Sequence, residues 1–97
     1  MLFTVNKSPF STNHLQSALR IAPAGAPILL YEDGVYAAAE GGQGATLVKV
    51  AFANHPVYAL EADLEARGIH KVLDGIRVVN YDGFVELVEQ HEVAPWL

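Results

Sequence analysis

Short apolar runs recur along the chain and predict four strands. They are Leu2–Val5, Ile28–Tyr31, Val57–Leu60 and Ile76–Val79. The first three runs are continuous rather than alternating, which is typical of strands buried on both faces of a parallel sheet. We therefore expect a sheet whose strands all run in the same direction.

Helical patterns lie between these runs. The first helix carries an apolar stripe at the spacings i, i+3, i+4 and i+7, formed by Leu15, Ala18, Leu19 and Ala22. Residues 11–13 offer N-cap oxygens, and Asn13 with Gln16 resembles a capping box. A second helix is predicted over Gly34–Ala39, and the glycines of residues 41–44 end it.

The second half of the chain continues the alternation. Residues 45–54 fit either a further helical turn or an irregular loop. A short helix follows the third strand and ends at Gly68. Its first turns carry Glu61, Asp63 and Glu65, and carboxylates there favour the positive end of the helix dipole. The last helix begins near Asp82 and ends before Pro95. It is expected to bury Phe84, Leu87 and Val88.

The order βαβαβαβα predicts the fold class. Such alternation indicates a parallel sheet with right-handed crossover helices. We predict a small flavodoxin-like three-layer α/β sandwich around a mostly parallel four-stranded sheet, with the strand order 2-1-3-4. A chain of 97 residues is expected to form one domain over residues 1–97.

Composition narrows the classes of function. Hydrophobic residues make up 52% of the chain, which predicts an apolar surface that contacts other subunits or a second copy. The net charge of −5 argues against direct binding of nucleic acid. No signal peptide or membrane span is predicted, so we expect a cytoplasmic protein. The absence of cysteine excludes disulfides, thiolate zinc sites and a thiol nucleophile.

Side chains that could carry chemistry are few. The four histidines lie far apart and are interpreted as ordinary surface or loop residues, although His14 falls near the predicted strand ends. The acidic turn Glu32-Asp33-Gly34 has two interpretations. It is either a pair of carboxylates for acid–base work, or a helix cap by Asp33 with Gly34 in a tight turn. We favour the cap, since no nucleophile accompanies the acids.

The chain finishes on Val93-Ala94-Pro95-Trp96-Leu97, which is unusually apolar for a tail. Two interpretations stay open. The tail is an anchor in a partner or a groove, because tryptophan is enriched at interface hot spots, or it folds back on the core of its own domain.

Four blocks of the sequence resemble the DsrH/TusB family of sulfur-relay proteins. In chain order they are MLFTVNKSPF, LLYEDGVYAA, VYALEADLEARGI and VVNYDGFVELVEQH with a terminal WL. The resemblance covers nearly the whole chain and implies the DsrE/DsrF/DsrH-like fold. It also implies a heterohexamer with TusC/DsrF-like and TusD/DsrE-like subunits. Such a complex passes persulfide sulfur towards 2-thiouridine at the tRNA wobble position, or serves dissimilatory sulfur oxidation.

One position departs from the family pattern. Relatives from sulfur oxidisers usually carry a cysteine within the first helix, and matching the NKSPF block places Ala18 there. A chain without a thiolate forms neither a persulfide nor a mixed disulfide. The resemblance therefore implies a subunit of a sulfurtransferase complex that is not an enzyme by itself. We expect no catalytic residue, no cofactor and no metal.

Partner contacts are predicted around the first loop, the acidic turn and the tail. The candidate contact residues are Phe10, His14, Tyr31, Glu32, Asp33, Tyr36 and Trp96. Two other functions are kept as alternatives. The first is a stand-alone α/β ligand-binding domain that uses Ser11, His14 and the acidic turn, and the second is a homo-oligomeric scaffold.

Overall fold

The computed structural model describes residues 1–9, 12–42 and 44–96, the last two of them as backbone only. The elements, in chain order, are β1 Leu2–Val5, α1 His14–Ile21, β2 Ile28–Leu30, a 3₁₀ helix Glu32–Ala38, α2 Ala45–Ala51, β3 Val57–Leu60, α3 Glu61–Ala66, β4 Arg77–Val79, α4 Tyr81–Gln90 and β5 Val93–Trp96. All four predicted strands are present, and the open choice at residues 45–54 is settled as helix α2.

The sheet has five parallel strands in the order β4-β3-β2-β1-β5. The predicted α/β class is confirmed, but the predicted count of four strands and the order 2-1-3-4 are wrong. The strand that was not predicted is β5, at the end of the chain. Leu2 N–H donates to Glu92 O at 2.7 Å, and residues 93–96 then pair with β1. The backbone of the tail therefore folds back on its own sheet.

Strand order places the helices on two unequal faces. The connections from β1 to β4 all step in one direction, so right-handed crossovers put α1, α2 and α3 on the same face. The chain then returns across the sheet to β5, which places α4 on the other face. The larger buried cluster includes Phe3, Val5, Ile28, Leu30, Leu15, Ala18, Val48 and Leu64. The smaller one, beneath α4, comprises Leu2, Leu29 and Leu87.

Two helix predictions need correction. Asn13 occupies the N-cap of α1 but its side chain makes no capping hydrogen bond, so the capping box is wrong. Thr12 Oγ1 instead accepts a 3.4 Å bond from His14 N–H. On α4, Leu87 is buried and Phe84 is half-buried, but Val88 is 38% exposed. Val88 was predicted to be buried. It lies on a flank of α4 that no other helix covers in the described part of the chain.

Candidate functional site

The candidate site is the edge of the sheet at which the parallel strands end. Loops at the carboxyl ends of such strands are the usual place for ligands in open α/β folds. β1 leads into the loop before His14, and β2 leads directly to Tyr31 and the acidic turn. Trp96 ends β5 in register with Val5 at the same edge. Phe10 lies outside the described residues.

The acidic turn is fastened to α3 by hydrogen bonds and ion pairs. Glu32 N–H donates to Asp63 Oδ2 at 2.7 Å. Arg67 approaches Asp33 Oδ1 with Nε at 3.0 Å and Nη2 at 2.9 Å. Its Nη1 donates to Asp63 O at 3.1 Å and lies 3.6 Å from Asp63 Oδ1. These bonds hold Glu32 in a left-handed conformation, with φ at 48°.

These contacts argue against both roles considered for the carboxylates of the acidic turn, the helix cap and the acid–base pair. The N-cap of the 3₁₀ helix is Tyr31, so Asp33 caps nothing, and its carboxylate pairs with Arg67. The expected helix cap is wrong because a tertiary ion pair competes successfully for the carboxylate. The paired acids are equally unsuited to acid–base work, since one of them is bound to a guanidinium.

Gly34 is required here for space. Its N–H donates to Tyr31 O at 2.9 Å and closes the predicted tight turn. Gly34 is buried, and a Cβ at this position would lie 2.1 Å from Val5 O. The 3₁₀ helix therefore rests directly on the end of β1, which fixes the acidic turn relative to the sheet.

Tyr36 completes the cluster. Arg67 lies over the Tyr36 ring, with Cζ 6.0 Å from the ring centroid. The side chain of Arg67 is 20% exposed, whereas that of its partner Asp33 is 60% exposed. Glu32 is also exposed. The cluster thus presents carboxylates to solvent while the compensating guanidinium is mostly covered, which makes this part of the edge negative.

Among the described residues, two buried polar side-chain atoms without partners lie on the segment that joins β1 to α1. Asn6 follows β1 and His14 begins α1, and both residues are half-buried. Within the described residues, Asn6 Oδ1 and His14 Nδ1 have no hydrogen-bond partner. Buried polar atoms are normally satisfied, so Asn6 Oδ1 suits a donor, and His14 Nδ1 a donor or an acceptor according to its tautomer, supplied from outside the chain. Both atoms can form hydrogen bonds with a ligand or a partner chain.

Ala18, the position at which the family resemblance led us to expect a cysteine, lies away from solvent. Its side chain is 0% exposed and belongs to the larger buried cluster. A thiolate needs access to attack or to be attacked. The structure therefore gives position 18 a packing role in α1.

His55, which was interpreted as a surface or loop residue, lies in the loop before β3 but is buried. It is 8% exposed, and Nδ1 lies 2.8 Å from Ala26 O. A carbonyl oxygen only accepts, so Nδ1 carries the proton. The bond ties the loop before β3 to the loop before β2, at the edge of the sheet opposite the candidate site. Within the described residues, no group of three or more metal-binding side chains occurs.

Asp63, Arg67 and Asn6 were missed from sequence. A signal for the first two was present: Asp63 lies in α3, Arg67 follows four residues later at the end of that helix, and β3 neighbours β2. Knowledge of the strand order would have placed them beside the acidic turn. Nothing in the sequence marks Asn6, because its significance comes from burial.

Comparison with known proteins decides the family. The family described as "DsrH like protein" matches residues 7–94. This chain belongs to that family. Among curated relatives, Protein TusB of Serratia proteamaculans is 41% identical and the match covers 94% of each chain. Protein TusB of Photorhabdus laumondii is 35% identical, with 99% of this chain and 100% of that one covered. Protein TusB of Escherichia coli is 37% identical over 94% of each chain.

Solved structures show the same fold at lower identity. The crystal structure of the ychN protein from E. coli has a TM-score of 0.83 and 19% identity, covering 97% of this chain and 96% of that one. The solution structure of Tm0979 from Thermotoga maritima has a TM-score of 0.61 and 24% identity, covering 95% of both chains. Among the described residues, no helix has the length and apolar character needed to cross a membrane.

Proposed function

We propose that this protein is a non-catalytic subunit of a cytoplasmic sulfur-relay complex. It assembles with TusC/DsrF-like and TusD/DsrE-like subunits, and the complex passes persulfide sulfur between carrier proteins. The observation that carries the proposal is similarity along almost the whole chain to proteins named TusB. That name belongs to the branch in which sulfur reaches 2-thiouridine at the tRNA wobble position. Dissimilatory sulfur oxidation is the second candidate pathway.

The chemistry of the chain supports a structural role in that complex. The sequence has no cysteine, so sulfur must travel on another subunit. At the candidate site, Arg67 and Asp33 are paired with each other rather than left to act on a substrate. The exposed Glu32 and the unpartnered atoms of Asn6 and His14 are suited to contacts with a partner. We place the predicted contacts of Tyr31, Tyr36 and Trp96 at the same edge.

A deletion strain tests the proposal. Removing the gene should lower the wobble 2-thiouridine content of tRNA, measured by mass spectrometry of nucleoside digests. A plasmid copy of this chain should restore it. Oxidation of stored sulfur, in a host that performs it, is measured in the same strain to separate the two pathways. Unchanged thiolation together with unchanged sulfur oxidation would refute the proposal.

A stand-alone ligand-binding domain is favoured by one observation, the unpartnered His14 and Asn6 atoms. Native mass spectrometry of a lysate separates the two functions. The subunit predicts a heteromeric mass that includes both sister chains, whereas the ligand-binding domain predicts the mass of this chain with a small molecule attached.

A further inference from the structure

Helix α4 exposes a row of large apolar side chains on one flank. Tyr81 is 63% exposed, Val85 is 48% exposed and Val88 is 38% exposed. The three residues stand at i, i+4 and i+7 and therefore form a continuous strip along one side of the helix. Scattered apolar residues on a surface are ordinary, but an ordered strip along a whole helix indicates an interaction site.

The architecture explains why this strip is left open. α4 covers the face of the sheet opposite α1, α2 and α3. It contacts that face through the buried Leu87 and the half-buried Phe84. The apolar arc of the helix is wider than the part that the sheet covers. In the described part of the chain, α1, α2 and α3 lie on the other face of the sheet and leave the remainder of this arc uncovered. A partner chain would cover it.

Charge beside the strip indicates the chemistry of the partner. Asp82, Glu86 and Glu89 are exposed and form a second row next to the apolar one. No ion pair within the described residues involves them, and α4 carries no basic residue. If a second copy packed its own α4 here, two acidic rows would be brought together, which is unfavourable. A surface with an apolar strip bordered by lysine or arginine fits instead.

We infer that the α4 strip, Tyr81, Val85 and Val88, is the surface through which this chain docks a sister subunit whose matching strip is bordered by basic residues. The inference rests on the proposed function, because it takes the partner from the same complex. It assigns the acidic row to orientation and rate of docking, and the apolar strip to affinity.

The test uses this chain co-expressed with its TusC-like and TusD-like subunits from the same genome. Val85→Asn on α4 is compared with Val50→Asn on α2. Val50 is also a valine on a helix surface, 67% exposed, but lies on the opposite face of the sheet. Assembly is measured by native mass spectrometry and by titration of the purified chain. Val85→Asn should weaken assembly about tenfold or more, equivalent to about 1.4 kcal/mol, and Val50→Asn should leave it unchanged.

Charge is tested with the double variant Glu86→Gln/Glu89→Gln. It should slow docking several-fold at low salt and flatten the dependence of docking on salt. Melting temperatures of all variants should match that of the unaltered chain, because the altered side chains are exposed.

The outcomes are separable. If the unaltered chain does not assemble with either sister subunit, the proposed function fails. If it assembles and Val85→Asn assembles equally well, or Val50→Asn is the variant that disrupts, the docking surface alone is refuted. Self-association that Val85→Asn abolishes, and that the neutralised double variant strengthens, would show that a second copy occupies the strip and would also overturn the inference.

Discussion

At the scale of single residues, Ala18 shows how packing and chemistry compete for one position. The side chain is fully buried in the cluster that includes Phe3, Val5 and Ile28. A methyl group suits a helix that lies close to a sheet, since interiors are packed to the density of organic crystals. The apolar stripe predicted this burial from spacing alone. What spacing could not give is the accessibility of a thiol at the same position.

Ala18→Cys should therefore give a protected thiol. In the native protein its reaction with Ellman's reagent should be at least about a hundredfold slower than that of Gln16→Cys, because access requires local opening. Gln16 is exposed on the same helix and provides the matched control. The added sulfur should lower the free energy of unfolding by about 1–3 kcal/mol. Equal native rates for the two variants would mean that position 18 is open to sulfur donors.

At the scale of elements, the site is built by fastening the 3₁₀ helix to α3. The strand and helix positions were largely predictable because each follows from a local period. The fastening was not, because Arg67 reaches Asp33 across 34 positions of sequence and only the adjacency of β2 and β3 makes them neighbours. The same contact explains why capping by Asp33 was wrong. A helix-end preference of about 1 kcal/mol is easily overridden by tertiary geometry.

The two carboxylates bound to Arg67 should contribute unequally. Asp33→Ala is expected to cost about 0–1 kcal/mol of unfolding free energy, because its side chain is 60% exposed and the pair is screened by water. Asp63→Ala should cost more, about 1–2 kcal/mol, because it removes both an ion pair of Arg67 and the hydrogen bond accepted from Glu32 N–H. Urea denaturation measures both. Asp63→Asn, which keeps an acceptor oxygen, should recover part of the loss, and equal costs at the two positions would contradict the assigned role.

At the scale of the whole molecule, strand order fixes the positions of the helices and of the loops that form the candidate site. It was the feature of the fold that was hardest to predict from sequence. Nothing local in residues 28–31 says on which side of β1 the second strand pairs. The fifth strand was not predicted, because residues 93–97 were interpreted only as an anchor in a partner or as a segment folded back on the core. Leu2 N–H donates to Glu92 O. In this register the backbone N–H groups of residues 94 and 96 point towards β1, and the backbone nitrogen of Pro95 points away from the sheet. Proline is tolerated at such an edge and protects it from further pairing.

Deleting residues 93–97 should consequently damage the whole fold rather than trim a tail. It would strip β1 of its pairing with β5, turn β1 into an edge and uncover Leu2, which is 0% exposed. We expect loss of several kcal/mol of unfolding free energy, of the order of the total stability of a small domain, with aggregation through the new edge. Circular dichroism during urea denaturation measures the loss of stability, and light scattering measures the aggregation.

Pro95→Ala is the control for the truncation. Because the nitrogen of Pro95 makes no bond in the sheet, this variant should stay within about 1 kcal/mol of the unaltered protein. A truncated chain of full stability would show that β5 contributes nothing. A large loss from Pro95→Ala would show that the inferred register is wrong.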